Sequence, residues 1–282
     1  MRQGYIVLAT GDAKYTAMAV NLAASLRVTD PGRGVCLVCD RGQEPRGPEA
    51  ALFEHVVGIT GDTRFPHVMN KIRVFDLSPY DSTMFVDADC LLAKDDVDSW
   101  WRACETRPFS VTGGAKRAGE WKGVEVSELL RAQGQDYLIQ MNAGVFHFTR
   151  TPEGRAFFAG LEAFYLDKME ELSVTNYKGP NSQSFELYLG LYMGRLGMDC
   201  ANVANRGEDS WMVSTWRALW FDIAPERGRC TIWKGARHLW GLPFLPRQVD
   251  RLSPTFPHFV ALKPRRLYDR LAAYYRHRAG LG

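Results

Sequence analysis

Nowhere in this sequence does an uncharged apolar run approach the roughly 20 residues that crossing a bilayer requires, so a membrane-spanning helix is excluded. A secretion leader is missing too. One basic residue, Arg2, precedes only the short apolar stretch Tyr5 to Ala9, which runs straight into Thr10-Gly11-Asp12. The six cysteines (Cys36, Cys39, Cys90, Cys104, Cys200 and Cys230) stand mostly in apolar surroundings and read as reduced thiols of a cytoplasmic protein, not as a disulfide framework. There is no internal repeat and no low-complexity linker, so one continuous unit is expected. A phosphate-cradling glycine loop is also lacking, which counts against phosphohydrolase and nucleotidyltransferase chemistry.

What is present suffices for a full core: 282 residues, of which 46% are hydrophobic. In the first half, strand and helix patterns alternate. Gly4 to Ala9, Gly34 to Cys39, Val56 to Ile59 and Thr83 to Val86 read as strands. Ala13 to Arg27 reads as a helix with Met18, Leu22 and Leu26 on one stripe, and Lys71 to Asp76 sits in another. This alternation predicts a parallel, doubly wound α/β sheet. Pro108 to Val111 and Gly144 to Phe148 add strands, Thr112 to Lys122 reads as a mobile glycine-bearing loop, and Pro152 to Asp167 is a helix with Phe157, Phe158, Leu161 and Phe164 facing the core. Cys36 and Cys39 lie on a strand, where positions three apart face opposite ways, and this argues against a shared metal.

The second half is irregular. Trp211, Trp216, Trp220, Trp233 and Trp240 fall within thirty positions. They form either a satellite core or the lining of a groove for a sugar ring. The overall charge of +3 is uneven, because residues 251 to 282 hold seven Lys/Arg against one Asp. The expected division is residues 1–264 as one domain and 265–282 as a basic amphipathic helix. That helix is a solvated surface, a contact with an anionic membrane, or a contact with another polyanion such as nucleic acid.

Asp87-Ala88-Asp89 carries the most chemistry. The β-branched and aromatic run Thr83-Met84-Phe85-Val86 delivers it, so both carboxylates emerge on one side at the carboxyl end of a buried strand. Open α/β sheets bind ligands at that edge, and a carboxylate pair there suits a hard divalent cation shared with substrate phosphates. A polar turn after a core strand is the plain alternative. Four further segments bear on the choice. Leu8 to Tyr15 passes from strand to helix and offers amides and the Tyr15 ring to a nucleotide. Asn70-Lys71 brings an ammonium within reach of a phosphate. Met141 to Phe146 contains Asn142 and the permissive Gly144. Phe256-Pro257-His258-Phe259 adds an imidazole, completing a mixed nitrogen and oxygen set suited to manganese or another first-row ion.

In this order the segments resemble those of glycogenin and the bacterial lipooligosaccharide galactosyltransferases, retaining glycosyltransferases of the GT-A fold. The match runs through Ala-Thr-x-Asp-x-x-Tyr, a lysine before the strand, Asp-x-Asp, Asn-Ala-Gly-Val, a Gln-bearing helix start, and a late His-Phe with a downstream lysine. It spans residue 5 to about residue 265. The resemblance implies a Rossmann-like, doubly wound mixed sheet in a single domain with an irregular C-terminal part. It implies that Ala9, Thr10, Asp12 and Tyr15 contact the nucleotide of a UDP-sugar, and that Lys71 and Lys263 contact its diphosphate. Asp87, Asp89 and His258 would hold Mn2+ or Mg2+, with Ala88 between the carboxylates at the donor. Asn142, Ala143, Gly144 and Gln183 would face the sugar, with Asp87, Asp89 and Gln183 at the reacting centre.

Two departures stand out. Similar enzymes have Asp-Gln at the helix start, whereas Ser182-Gln183 here lacks the acid. They also have a glycine three residues and a lysine six residues after the histidine, whereas this chain has Ala261 and, at five, Lys263. The resemblance thus implies transfer of a hexose with retention to an acceptor that is a glycan, a lipid-linked glycan, a protein or a nucleic acid. A non-catalytic nucleotide-sugar-binding module is the competing reading.

Overall fold

Three strands with almost no polar side chain open the chain: β1 (Gln3–Ala9), β2 (Gly34–Asp40) and β3 (His55–Ile59). All three pair in parallel, and helix α1 (Ala13–Thr29) crosses over from β1 to β2. The computed structural model describes residues 1–172, 183–199, 210–235 and 249–282. After a 3-10 turn over His67–Arg73 and the short helix α2 (Val74–Leu77), β4 (Ser82–Val86) enters parallel to β1 on its other side. Helix α3 (Val97–Cys104) and the strand β5 (Phe109–Lys116) follow. A hairpin of β6 (Glu120–Trp121) and β7 (Val124–Glu125) leads into α4 (Val126–Gln133). The long strand β8 (Leu138–Thr149) then inserts antiparallel between β4 and β5, which makes a mixed six-stranded sheet of order β3-β2-β1-β4-β8-β5.

The central strands are apolar on both faces because both faces are covered. Tyr5, Val7, Met84 and Val86 point into one core cluster, while Ile6 and Phe85 point into the other. The second cluster is dominated by phenylalanine. Helix α5 (Pro152–Lys168) contributes Phe157 and Phe158, which pack against Phe109 with ring centroids 4.5 and 5.9 Å away. Helix α6 (Phe185–Arg195) presses directly on β8, because a Cβ on Gly190 would lie 2.4 Å from the Ile139 carbonyl oxygen and one on Gly194 2.2 Å from that of Tyr137.

Thr112 to Lys122 is not a loop throughout. β8 begins six residues before Gly144, and its early part, Leu138–Met141, gives Gly113–Lys116 a ladder partner. The remainder turns tightly on Lys122 and Gly123, at φ 54° and 82°. Cys36 and Cys39 fall in opposite core clusters, and the described cysteines 36, 39, 90, 104 and 230 are free and buried. Cys200 and Trp240 lie outside the described residues.

The C-terminal part adds β9 (Ser210–Ser214), β10 (Ala218–Ala224), β11 (Arg229–Gly235), β12 (Val249–Leu252) and β13 (Pro254–His258). β13 runs parallel to β9, and β10 to β12 form an antiparallel sheet. The basic helix α7 (Arg265–Arg278) is no appendage. Its apolar stripe, Tyr268, Leu271, Ala272 and Tyr275, is buried in the core cluster that includes α1, and the Tyr275 hydroxyl donates to the Leu92 carbonyl at 2.7 Å. An interfacial helix would need that stripe for lipid. Of the described residues, no helix is long and apolar enough to cross a membrane.

Candidate active site

β4 stops after Val86 because the next residues bend toward the other strand ends. Asp87 N–H donates to the Gly144 carbonyl at 2.7 Å, and Phe259 N–H donates to the Asp89 carbonyl at 2.9 Å. These two bonds place three segments around one spot: Asp87 to Cys90, Asn142 to Gly144, and His258.

Two ion pairs occupy it. Lys71, only 8% exposed, sets its Nζ 2.8 Å from Asp87 Oδ1 and 2.9 Å from Oδ2, and also donates to the Ala143 carbonyl at 3.1 Å. His258 Nε2 lies 3.0 Å from Asp89 Oδ1. On the far side of that ring, Nδ1 meets the amide of Asn142 at 3.3 Å, while Asn142 Oδ1 accepts from Gly144 N–H at 3.0 Å. The electrostatics differ between the two carboxylates. Burial pushes Asp87 up, against the pull of Lys71 and with some help from Asp89. Burial would do the same to Asp89, but the adjacent imidazole overrides it and holds that carboxyl below the usual range. Asp89 in turn raises His258 against the effect of desolvation.

The donor set fits a divalent cation. Asp89, Cys90 and His258 present ligand atoms within 4.8 Å of one another, with Asp87 in the same turn but turned toward Lys71. A carboxylate oxygen and an imidazole nitrogen suit a first-row ion. The Cys90 thiol was not foreseen, because its run, Asp89-Cys90-Leu91, reads as a return to the core. Burial raises its pKa well above the ordinary value.

The Leu8 to Tyr15 segment, expected to meet a nucleotide, lies along the same carboxyl edge, since β1 and β4 are parallel neighbours. Ala9 is buried at the end of β1. Asp12 caps α1 by accepting from Lys14 N–H at 2.9 Å, and Tyr15 is 36% exposed. Gly11 N–H donates to Asp40 Oδ2 at 2.6 Å, an anchor from β2 that no motif announced. Ala88 is buried.

Two expected residues have other partners or none at the ion pairs in the described structure. Gln183 donates to the Met169 carbonyl at 2.9 Å and accepts from the Tyr188 hydroxyl, so its amide is already engaged. Lys263 is exposed, and its carbonyl accepts from Thr215 Oγ1 at 2.5 Å, while the same hydroxyl donates to the His258 carbonyl at 3.0 Å. Thr215 therefore fastens the lip of the site. Beyond it, Trp216 is half exposed beneath the Arg217 guanidinium, which stands 4.5 Å from the ring centroid, and Trp220 is 67% exposed. Trp211, by contrast, is fully buried. These tryptophans thus divide between core and surface. Ser182 lies outside the described residues.

Missed altogether was Glu186. Its Oε1 accepts from Ala143 N–H at 3.0 Å, and its Oε2 pairs with Lys122 at the tip of the β6–β7 hairpin.

No protein-family model and no curated protein sequence matches the chain. Solved structures do. Over 96% of this chain and 95% of its own, the galactosyltransferase LgtC, captured with donor and acceptor sugar analogues, superposes with a TM-score of 0.52 at 14% identity. This chain has the GT-A fold of LgtC. An active-site mutant of LgtC gives the same TM-score at 15% identity. The glycosyltransferase GlyE of Streptococcus pneumoniae TIGR4 aligns with 68% of the chain at 13% identity and a TM-score of 0.43. The chain spans 43% of GlyE's length.

Proposed function

We propose that the protein is a glycosyltransferase that moves a hexose from a nucleotide diphosphate sugar, a UDP-sugar, to an acceptor with retention of configuration. The observation that carries this reading is the meeting of Lys71–Asp87 and Asp89–His258 at the carboxyl end of β4 in a GT-A fold. Asp89 and His258, with Asp87 released from Lys71, would hold the divalent ion. When bound, that ion supplies most of the positive charge facing the diphosphate.

The chain's own residues account for the rest. Lys71 is held by the Ala143 carbonyl as well as by Asp87, so its ammonium keeps one anchor facing the diphosphate when Asp87 turns to the ion. The bond from the anomeric carbon to phosphate oxygen breaks toward an oxocarbenium-like state. In a same-face transfer the departing phosphate oxygen takes the acceptor hydroxyl's proton, so no protein base is needed. Ala9, Thr10, Asp12 and Tyr15 would seat the base and ribose, and Asn142 the sugar. Trp216 and Arg217, beside Thr215 at the rim, offer a stacking face and a cation to the acceptor. The reduced thiols fit a cytoplasmic setting.

The engaged amide of Gln183 favours one second reading, a module that binds nucleotide sugars without turning them over. Incubating the protein with UDP-galactose or UDP-glucose and manganese, and following released UDP, separates the two. Release that chelator abolishes supports the transferase. Binding without release supports the module, and neither binding nor release removes both.

A further inference from the structure

We propose that the Cys90 thiol is a ligand of the cation beside Asp89 and His258, and that it makes the site select zinc or cobalt over magnesium; this rests on the metal-dependent reading above.

Cys90 directly follows the second carboxylate, and its segment runs antiparallel to the one that carries the imidazole. Leu91 N–H donates to the Pro257 carbonyl at 3.3 Å, and Phe259 N–H donates to the Asp89 carbonyl at 2.9 Å. These two bonds flank Cys90 and His258, which therefore face each other as a non-hydrogen-bonded pair. In such a pair the Cα atoms approach to about 4.5 Å and the two side chains leave on the same face. The backbone thus carries the sulfur to the imidazole. Asp89 Oδ1 already lies 3.0 Å from His258 Nε2, and one oxygen, one nitrogen and the sulfur of the three residues fall within 4.8 Å of one another. An ion bonded to each at about 2.0–2.3 Å closes that spread with small side-chain shifts.

A buried thiol by default behaves as a small hydrophobe. Cys90 is fully buried, but its cross-strand neighbour is an imidazole and its chain neighbour a carboxylate whose side chain is 24% exposed. An ion enters from the carboxylate side and meets the sulfur on its inner side. Three protein ligands leave an outer position open, as substrate requires. As the sulfur–metal bond forms, the thiol gives up its proton to solvent. The consequence is selectivity. Magnesium keeps oxygen ligands and its own waters, so a thiolate adds little to its binding. Zinc and cobalt accept imidazole and sulfur readily. This ranking holds with Asp87 kept on Lys71 or turned to the ion.

Cobalt reports the ligand directly, because a thiolate bonded to it adds an intense near-ultraviolet charge-transfer band that oxygen and nitrogen ligands do not give. Wild-type protein titrated with cobalt, with and without UDP, should develop this band, and Cys90→Ser should lose it. In calorimetry the variant should bind zinc about tenfold more weakly or worse, since disturbing even the groups that orient a ligand costs that much, while magnesium binding stays within about twofold. Cobalt bound without the band overturns the proposal, as does a band that persists in Cys90→Ser. Equal weakening of zinc and magnesium, unchanged zinc binding, or no cobalt binding by wild type overturns it too. Wild-type protein that shows the band yet binds no UDP ends the nucleotide-sugar reading and leaves the ligand assignment standing. Should Cys90→Ser fail to fold, Cys90→Ala carries the same comparison.

Discussion

A Cβ on Gly144 would stand 3.0 Å from His258 Nδ1 and 3.1 Å from the ring's Cε1, so the absent side chain is what lets the imidazole lie against β8 and turn Nε2 toward Asp89. Gly144→Ala should therefore leave the fold intact but push the ring by a few tenths of an ångström. Manganese affinity should fall by about tenfold or more, the scale seen when groups that orient a metal ligand are disturbed. Titration calorimetry with manganese would show it, and unchanged affinity would refute the contact's importance.

Asp89→Asn should keep the fold, because the residue lies beyond the packed part of β4, while transfer falls on the order of 100-fold to 1,000-fold. Release of UDP from UDP-sugar in the presence of manganese is the readout. Wild-type turnover would end the assignment of Asp89.

Ala261 and Leu262 adopt left-handed backbone, at φ 53° and 56°, just after His258. Similar enzymes place glycine at the first of these positions, and here an alanine holds the same region at a steric cost of about 1 kcal/mol. Ala261→Gly should accordingly stabilise the protein or leave it unchanged, despite the looser unfolded chain, in contrast to the usual loss on such a change. Thermal unfolding would settle the sign, and a clear drop in Tm would contradict it.

His147 is fully buried, with Nε2 2.7 Å from Ser82 Oγ, and burial lowers its pKa to about 3. The unfolded chain protonates it near its ordinary value of about 6.5, whereas the folded chain does not. Stability from this site is thus complete above about 6.5 and is lost as pH falls from there toward 3, at up to about 1.4 kcal/mol per pH unit. His147→Asn should show a flatter decline of Tm between pH 6.5 and 4 than wild type. Parallel curves would refute the assignment.

Because Tyr268, Leu271 and Tyr275 are within the core, deletion of residues 267–282 should unfold the protein, and Leu271→Ala should cost about 2–5 kcal/mol. Circular dichroism and urea titration measure both. A stable truncated protein would return the helix to a surface role.

What the sequence determined by itself is local. Hydrophobic runs bounded by turn residues placed β1 to β4, α1 and α5 within a few residues, because period and punctuation are properties of neighbours in the chain, whereas α3, α4 and the β6–β7 hairpin were not anticipated. The alternation also implied a doubly wound sheet, and Asp87 and Asp89 were legible because a strand end announces where its side chains emerge. Tertiary structure decided whatever depends on residues far apart. β8 runs antiparallel between β4 and β5 because its extended early half found a partner in Gly113–Lys116, which single-strand patterns do not show. The basic helix α7 read as a solvated surface, a membrane contact or a polyanion contact, and only the fold shows its apolar stripe packed against α1. Glu186 carried no motif at all: a first-turn glutamate is ordinary in a helix, and only the unpaired amide of Ala143, left by a register shift, gave it a place. Asp87 turned to Lys71 and Asp89 to His258 for the same reason, since a buried charge takes whichever opposite charge the fold brings near.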